Sequence, residues 1–470
     1  MLNLSDFRHI HCIGIGGIGL SAIAEIFLKR GYWVSGSDLK ESDLTEKLKK
    51  DGALIYIGHD EANVAGADIL IYSSAISQDN PEILAAKNMG IPIVSRAEIL
   101  GALMKEYKNS IAISGTHGKT TTTSMVSLIL ENSNLDPTVL VGGNLPTFNG
   151  NVKVGKGDYI VTEACEYMNS FLSLHPRHEI ILNIDSDHLD YFKDIKHIVR
   201  SFEQFAKLVP EDGTVIAYDA NPFVNAIIKD LKCKVITFGF NEQCDYHASN
   251  ITFNSSGMPS FDLYSHGEFL CHLQLSIPGE HNIANALAAA ACCHNLGVSL
   301  SCIASTLESY KGTQRRFDVV GITKSDVRIV DDYAHHPTEI KVTLNAANNI
   351  PHNNLWCLFQ PHTYTRTLAL FDEFAEAFDE ADKIIFAEIY AAREKNIYRI
   401  SSKELVAEIK RTNPNKEVYF FESFDEIANF VINNSEPGDL VITMGEGDIY
   451  KVAEIIIEKD GCNSKTETFL

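Results

Sequence analysis

An α/β chain of three domains is what the sequence predicts, and three observations carry it. A glycine-rich turn joins a strand-like run to a helix-like run near Gly16, a second near Gly115 ends in a lysine, and strand and helix alternation resumes after Lys311. The 470 residues suffice for about three domains of ordinary size, and 45% hydrophobic content supplies their cores. The expected domains are residues 1–108, 109–311 and 312–470. A formal charge of −22 repels polyanions, and no lysine or arginine cluster offers a nucleic-acid stripe, so no nucleic-acid partner is expected. The amino terminus lacks a basic region followed by an uninterrupted apolar stretch, and no segment approaches the ~18 apolar residues that cross a bilayer. No membrane insertion and a cytoplasmic location are expected. Ten dispersed cysteines, without CxxC pairs at zinc spacing, read as reduced and mostly buried thiols.

In the first domain, His9 to Ile15 reads as a strand, Gly14, Gly16 and Gly19 of GIGGIG as the turn, and Ala24, Ile26 and Phe27 as one face of the following helix. Trp33 to Ser37 is a second strand with Asp38 at its end. Such glycines let the backbone approach a diphosphate at a helix N-terminus, and an acid about 20 residues on meets a sugar hydroxyl. Nothing in the loop touches a redox ring, so a nicotinamide dinucleotide and a UDP-sugar satisfy it equally. Runs at Leu54–Ile57, Ile69–Tyr72 and Ile91–Val94, with helices at Pro81 and up to about Tyr107, complete a Rossmann-like domain.

In the second, Ile111 to Ile113 is a strand, Ser114-Gly115-Thr116-His117-Gly118 a glycine loop, and Lys119 opens a helix through Met125, Leu128 and Ile129. Backbone N–H groups and a helix dipole aimed at one point bind phosphate; Lys119 adds a mobile cation and the Thr120 hydroxyl a magnesium ligand. A nucleoside triphosphate is the expected ligand. Asp158 to Thr162 delivers Glu163 and Glu166 at a strand end, and Glu179 to Ile184 leads into Asn183, Asp185, Asp187, His188 and Asp190. Carboxylates with one imidazole suit Mg2+ or Mn2+ bridging a triphosphate. Period-two runs from Asp245 to Ser276 read as antiparallel edge strands, and Gly279 precedes an alanine-rich helix whose first turn holds Glu280, His281 and Asn282.

The third domain reads as a smaller Rossmann-like sheet with strands at Val327–Asp331, Asn354–Phe359, Lys383–Ala387, Glu417–Phe421 and Asp439–Thr443, and with an unstructured tail from Asp460 to Leu470. Cationic loops in an acidic chain, Arg315-Arg316, His335-His336, His362 with Arg366, and Arg393 with Lys395, have the character of a carboxylate or phosphate receptor.

GIGGIGLSAIA, SGTHGKTTTT, NIDSDHLDYF, GEHNIANALAA, RRFD, DDYAHHPTE, FQPHTYTR and MGEGDIY stand in the order and at roughly the spacing found in the Mur ligases of peptidoglycan synthesis. The chain resembles that family over essentially its whole length. The resemblance implies an ATP-dependent amide ligase that uses Mg2+ (or Mn2+) and joins L-alanine to the lactyl carboxylate of UDP-N-acetylmuramate through an acyl phosphate. By resemblance, Gly16, Gly17, Ile18 and Gly19, with Asp38, Ser73 and Ser74, hold the uridine diphosphate. Gly115, Thr116, His117, Gly118, Lys119, Thr120 and Thr121 form the ATP phosphate loop, with Thr120, Glu163 and His188 as metal ligands. His281 and Asn282 contact the base, Arg315 and Asp332 reach ATP from the C-terminal domain, and Tyr333, His335, His362 and Arg366 close on the muramoyl and alanine groups. Lys119, Glu163, His188 and Arg315 are the expected catalytic set. Three positions depart from the family pattern: Glu163 is followed by Ala164-Cys165-Glu166 where the family often has EADESD, Gln314 stands for a glycine, and Glu446 turns GAGD into GEGD.

Two other classes stay open on the sequence. A nicotinamide-dependent oxidoreductase accounts for GIGGIG and Asp38 but leaves the phosphate loop, Glu163 and His188 unexplained. An ATPase without synthesis makes the first loop structural. Among ligases, a murein-tripeptide recycling enzyme or a cyanophycin- or folate-type ligase is the runner-up.

Overall fold

Three sheets follow from the burial pattern of their strands in the computed structural model, which describes residues 2–73 and 75–463. By compactness the chain forms two units, one of Met1–Ile184, Val199–Thr237 and Ala288–Cys302, the other of Asp185–Ile198, Phe238–Leu287 and Ile303–Leu470.

In the first unit, β1 (His9–Ile13), β2 (Trp33–Asp38), β3 (Leu54–Ile57), β4 (Ile69–Tyr72) and β5 (Ile93–Ser95) form a sheet of order β3-β2-β1-β4-β5. Every neighbouring pair is parallel, and all of β1 is buried, as expected of a strand covered by helices on both faces. Helices α1 (Ile18–Lys29), α2 (Asp43–Lys50), α3 (Pro81–Met89) and α4 (Arg96–Met104) follow β1, β2, β4 and β5. Local chemistry sets their starts: Pro81 occupies the first turn of α3 behind an Asn80 cap, and Ser95 and Glu98 form a capping box on α4. Strand order reverses between β1 and β4, the place where open α/β sheets bind ligands.

The same unit holds β6 (Asn109–Ser114), α5 (Lys119–Asn132), β7 (Thr138–Leu145), β8 (Gly150–Lys153), β9 (Tyr159–Glu163), β10 (His178–Ile181) and β11 (Thr214–Tyr218), with strand order β11-β10-β6-β9-β7-β8. β6 lies between parallel β9 and β10, with Ile113 opposite Glu163 and Ser114 opposite Ile181. The residues after these three strands therefore share one edge. The antiparallel pairing of β7 with β8 lacks a sequence signal, because the glycines, asparagines and proline between Gly142 and Gly150 break up its apolar residues.

β12 (Lys234–Gly239) begins in the first unit and enters the second at Phe238; there it ends against β13 (Tyr246–Phe253), and β14 (Pro259–Ser265) and β15 (Glu268–Gln274) continue as antiparallel neighbours. Burial alternates strictly along β14, which is the period-two signal read from the sequence. The last sheet joins β16 (Asp318–Thr323), β17 (Arg328–Asp332), β18 (Leu355–Phe359), β19 (Lys383–Phe386), β20 (Glu417–Phe420), β21 (Leu440–Met444) and β22 (Cys462–Asn463) in the order β20-β19-β18-β21-β17-β16-β22. Its first five members in that order are parallel, and β16 is antiparallel to both neighbours. β18 and β21 are wholly buried. Alternate residues of β18 face two separate cores, Cys357 and Phe359 one with Phe374 and Phe378, Trp356 and Leu358 the other with Ile427 and Ile456.

The tail reading needs correction. Asp460 closes a helix, Tyr450–Asp460, and Cys462–Asn463 pairs with Ile322 and Thr323 of β16, because an edge strand offers unpaired N–H and C=O groups. The remainder of that segment, residues 464–470, lies outside the described residues. None of the described cysteines forms a disulfide, and no helix among the described residues is long and apolar enough to cross a membrane.

Candidate active site

The first glycine loop closes on itself and on an acid. Gly17 N–H donates to the Gly14 carbonyl at 3.1 Å, and Gly16 N–H donates to Asp38 Oδ2 at 2.9 Å. A Cβ on Gly16 would stand 2.9 Å from that oxygen, so glycine is what admits the carboxylate. Asp38 thus uses one oxygen to shape the loop. Ser73, at the end of β4, lies beside Gly14: its Oγ is 3.1 Å from where a Gly14 Cβ would be. Ile18 is 54% exposed at the start of α1, an apolar side chain set where the backbone N–H groups open. Ser74 lies outside the described residues. A cation was missed by the sequence reading. Arg96, the first residue of α4, brings Nη1 within 2.9 Å of a Cβ position on Gly19, and no local motif marks it because it arrives from the end of β5.

The phosphate loop carries its own cation. Gly115 has φ +136° and would meet Leu182 Cβ at 2.9 Å if it had a side chain, so only glycine turns the chain there. Asn183 clamps the loop: its Oδ1 accepts from His117 N–H at 2.8 Å, its Nδ2 donates to the His117 carbonyl at 3.0 Å, and its own carbonyl accepts from Thr116 N–H at 3.2 Å. Lys119 Nζ donates to the carbonyls of Gly115 and Thr116 and forms an ion pair with Glu166 Oε2 at 3.0 Å. Burial alone draws the lysine pKa down, but Glu166 and, further off, Glu163 outweigh it and hold Lys119 above its ordinary value. The ammonium is charged at every physiological pH. Thr120 is buried in the first turn of α5 and Thr121 is partly exposed beside it. Glu163 ends β9 with Oε1 accepting from Gly142 N–H at 2.6 Å, and Gly142 is another residue the sequence did not single out. Its missing side chain admits the carboxylate, which would lie 2.8 Å from an added Cβ.

In the second unit, the residues after β17, β18 and β21 draw together. Arg315 Nε binds Asp331 Oδ2 at 2.9 Å and Nη2 donates to the Gly445 carbonyl at 2.7 Å, with Tyr333 and Tyr450 rings 4.9 and 4.7 Å from the guanidinium. Asp332 accepts from the N–H groups of Phe317 and Ala334 at 2.7 and 2.8 Å. Burial pushes its carboxyl up to about 6, against the pull of Arg316 and those two amides. Asp332 therefore orders the loops around Arg315 and Tyr333. Arg366 Nε pairs with Asp187 Oδ1 at 3.1 Å; burial works against the Asp187 charge, yet Arg366, His188, His335 and His336 hold it well below the usual carboxylate range. His188 takes a left-handed conformation, φ 52°, and its ring lies 3.9 Å from Asp187 Oδ2. His335 and His362 stand near Glu446, at 3.7 and 3.0 Å. At the start of the helix Glu280–Asn295, His281 is exposed, whereas Asn282 is buried with Nδ2 on the Pro278 carbonyl and Oδ1 on Asn285. Asn282 thus bonds to the chain just before the helix and to the next turn of the helix itself.

A lysine-bearing phosphate loop on the middle of three α/β domains defines a nucleotide-binding protein of the phosphate-loop class. Family models match the chain in three consecutive stretches: Mur ligase family, catalytic domain at residues 9–108, Mur ligase middle domain at 113–293, and Mur ligase, glutamate ligase domain at 315–447. The chain belongs to the Mur ligase family. A UDP-N-acetylmuramate–L-alanine ligase of Caldanaerobacter subterraneus subsp. tengcongensis is 50% identical over 459 residues, 98% of this chain and 99% of the relative. The enzyme of the same name from Acetivibrio thermocellus is 48% identical over 97% of each chain. Among solved structures, UDP-N-acetylmuramate-alanine ligase MurC of Thermotoga maritima superposes with a TM-score of 0.80 at 29% identity, covering 96% of this chain and 98% of that one. A murein peptide ligase from Psychrobacter arcticus gives 0.72 at 25% identity, covering 98% and 100%.

Proposed function

We propose that this protein is an ATP-dependent UDP-N-acetylmuramate–L-alanine ligase acting in the cytoplasm on a precursor of peptidoglycan. The observation that carries the chemistry is the clamped phosphate loop with its permanently charged Lys119. The substrate choice is supported by relatives of that name at 48–50% identity over nearly the whole chain, and it is favoured over a murein peptide ligase on that ground. The proposed domains are residues 1–108 for the UDP-substrate, 109–311 for ATP and 312–470 for the ligation step.

Each group has a stated task. The Gly16–Gly19 turn offers backbone N–H groups to the diphosphate, Asp38 and Ser73 flank it, and Arg96 adds a cation. Gly115 to Thr121 cradles the triphosphate and Lys119 exchanges Glu166 for phosphate oxygens. This neutralises charge as the lactyl carboxylate attacks the γ-phosphorus and ADP leaves. The amine of L-alanine then attacks the acyl phosphate carbonyl, inorganic phosphate departs, and the amine proton is lost to solvent. The Thr120 hydroxyl and the Glu163 carboxylate are hard oxygen donors of the kind Mg2+ takes, and the ion supplies further charge neutralisation on the phosphates. His188 is assigned to metal, and His281 and Arg315 to the nucleotide, on the family resemblance. Tyr333, His335, His362 and Arg366 are assigned to the amino acid and muramoyl groups. The test is phosphate release and amide formation with ATP, Mg2+ and UDP-N-acetylmuramate, with and without L-alanine. Release that needs both substrates is expected; turnover without either, or none at all, overturns the assignment.

A further inference from the structure

Glu446 places a carboxylate among groups suited to hold one. Its Oε2 lies 3.0 Å from His362 Nδ1, 3.5 Å from Arg366 Nη1 and 3.7 Å from His335 Nε2, and the nearby Tyr333 hydroxyl helps to hold its charge. Tyr333 and His335 follow β17, His362 and Arg366 follow β18, and Glu446 follows β21. These three strands are parallel neighbours, so the ring of donors stands at the C-terminal edge of the sheet, where α/β domains bind ligands.

The seat is loose. Distances of 3.5 and 3.7 Å exceed those of good hydrogen bonds. His362 Nδ1 is 3.0 Å from both Arg366 Nη1 and Glu446 Oε2, and a ring nitrogen either accepts from the guanidinium or donates to the carboxylate. Glu446 therefore shares its shortest contact with a competitor. Its side chain is 28% exposed against 11–15% for Arg366, His335 and His362, so it can swing out without opening the core. The charge of the ring suits a monoanion. Asp187 already offsets Arg366, and burial holds His362 near pKa 4 and hence neutral, too little positive charge for a phosphate dianion.

We propose that Glu446 is an internal competitor for the carboxylate of the incoming amino acid, seated in the Tyr333–His335–His362–Arg366 ring that this carboxylate must enter. The identity of the amino acid rests on the ligase reading; the competition does not. Two carboxylates repel in one set of donors, so substrate binds only in the fraction of molecules whose Glu446 has left, and apparent affinity falls by that fraction.

The test varies L-alanine at saturating ATP and UDP-N-acetylmuramate for wild type, Glu446→Ala and Glu446→Gln. KM for L-alanine is expected to fall about tenfold in both variants, with kcat and the KM values for the other two substrates changing far less. A KM for L-alanine that is unchanged or raised overturns the proposal. Glu446→Gln keeps the side-chain volume in case truncation weakens the fold, and thermal melting reports on both. A second readout needs no turnover: sodium acetate is titrated while the ring proton resonances of His335 and His362 are followed. Saturation at roughly tenfold lower acetate in the variants is expected, and equal binding in all three proteins overturns the competition. If acetate behaves as expected but no amide forms from L-alanine, the ligase reading fails and the competitor stands. If amide forms while KM and acetate binding are unmoved, the competitor fails and the ligase stands.

Discussion

The two glycine turns of the first unit have the same plan, a buried parallel strand, a tight turn and a helix N-terminus, yet they obtain their charge in opposite ways. The phosphate loop contains its cation: Lys119 begins the helix and is held by Glu166 three residues past β9. The loop at Gly16 contains none; an acid, Asp38, reaches it from β2, and its cation, Arg96, comes from the start of α4. A helix N-terminus attracts phosphate in either case. The difference is that one loop is self-sufficient and the other is completed by the fold.

That contrast can be broken by substitution. Lys119→Ala removes the charge on which phosphoryl transfer depends, and a loss of ~10³-fold in kcat is expected, read as phosphate release; a loss below tenfold would mean that the loop's cation is dispensable. Arg96→Ala is expected to raise KM for UDP-N-acetylmuramate by roughly 10- to 100-fold, the worth of one charge-assisted hydrogen bond of ~1.5–3 kcal/mol, while KM for ATP stays level. If ATP were the substrate affected, Arg96 would belong to the other loop. Gly142→Ala sets a methyl 2.8 Å from Glu163 Oε2 and displaces the carboxylate, so the Mg2+ concentration for half-maximal rate should rise roughly tenfold. An unchanged Mg2+ titration would remove Glu163 from the metal.

The same contrast explains what was legible in the sequence. Both turns were, because glycine spacing and the apolar runs around it are local. So were the parallel strands of the first and last sheets, whose continuous apolar runs report burial on two faces, and the alternation of β14; β7, β11 and β12 were not read. Arg96, Gly142 and the clamp made by Asn183 were not, since each matters only through a residue far along the chain: Asn183 meets His117 across 66 positions. The seat of Glu446 was invisible for a related reason. The sequence showed an added charge in the last loop, but only the adjacency of β17, β18 and β21 puts His335, His362 and Arg366 around it. Asn282 and Asp332 show something further that the motifs did not: their side chains also bond locally, Asn282 at its helix start and Asp332 to the N–H groups of Phe317 and Ala334.

Buried carboxylates behind the two turns carry the comparison to its smallest effect, on stability instead of turnover. Glu82 and Glu179 are both fully buried. Burial would raise either, but Glu82 has His11 3.5 Å away and accepts from Ser37 Oγ at 2.5 Å and Asn63 Nδ2 at 2.6 Å, and is held below its ordinary value. Among the described residues Glu179 has only the Ser114 hydroxyl at 2.8 Å, with no partner on Oε2, and burial pushes it from 4.5 up to about 8. Equal burial gives opposite shifts because the number of donors differs. The signs follow from linkage. Glu179 binds its proton more tightly folded than unfolded, so its contribution is complete below pH 4.5 and is lost as pH rises through about 8. Glu82 contributes above its unfolded value and loses that contribution only as pH falls through its depressed folded value. Urea unfolding at pH 5.5, 6.5 and 7.5 separates them. Relative to wild type, Glu179→Gln should gain up to ~1.4 kcal/mol per pH unit across that range, while the deficit of Glu82→Gln stays constant. A flat Glu179→Gln series would mean that its carboxylate finds donors that the folded strand pair does not provide.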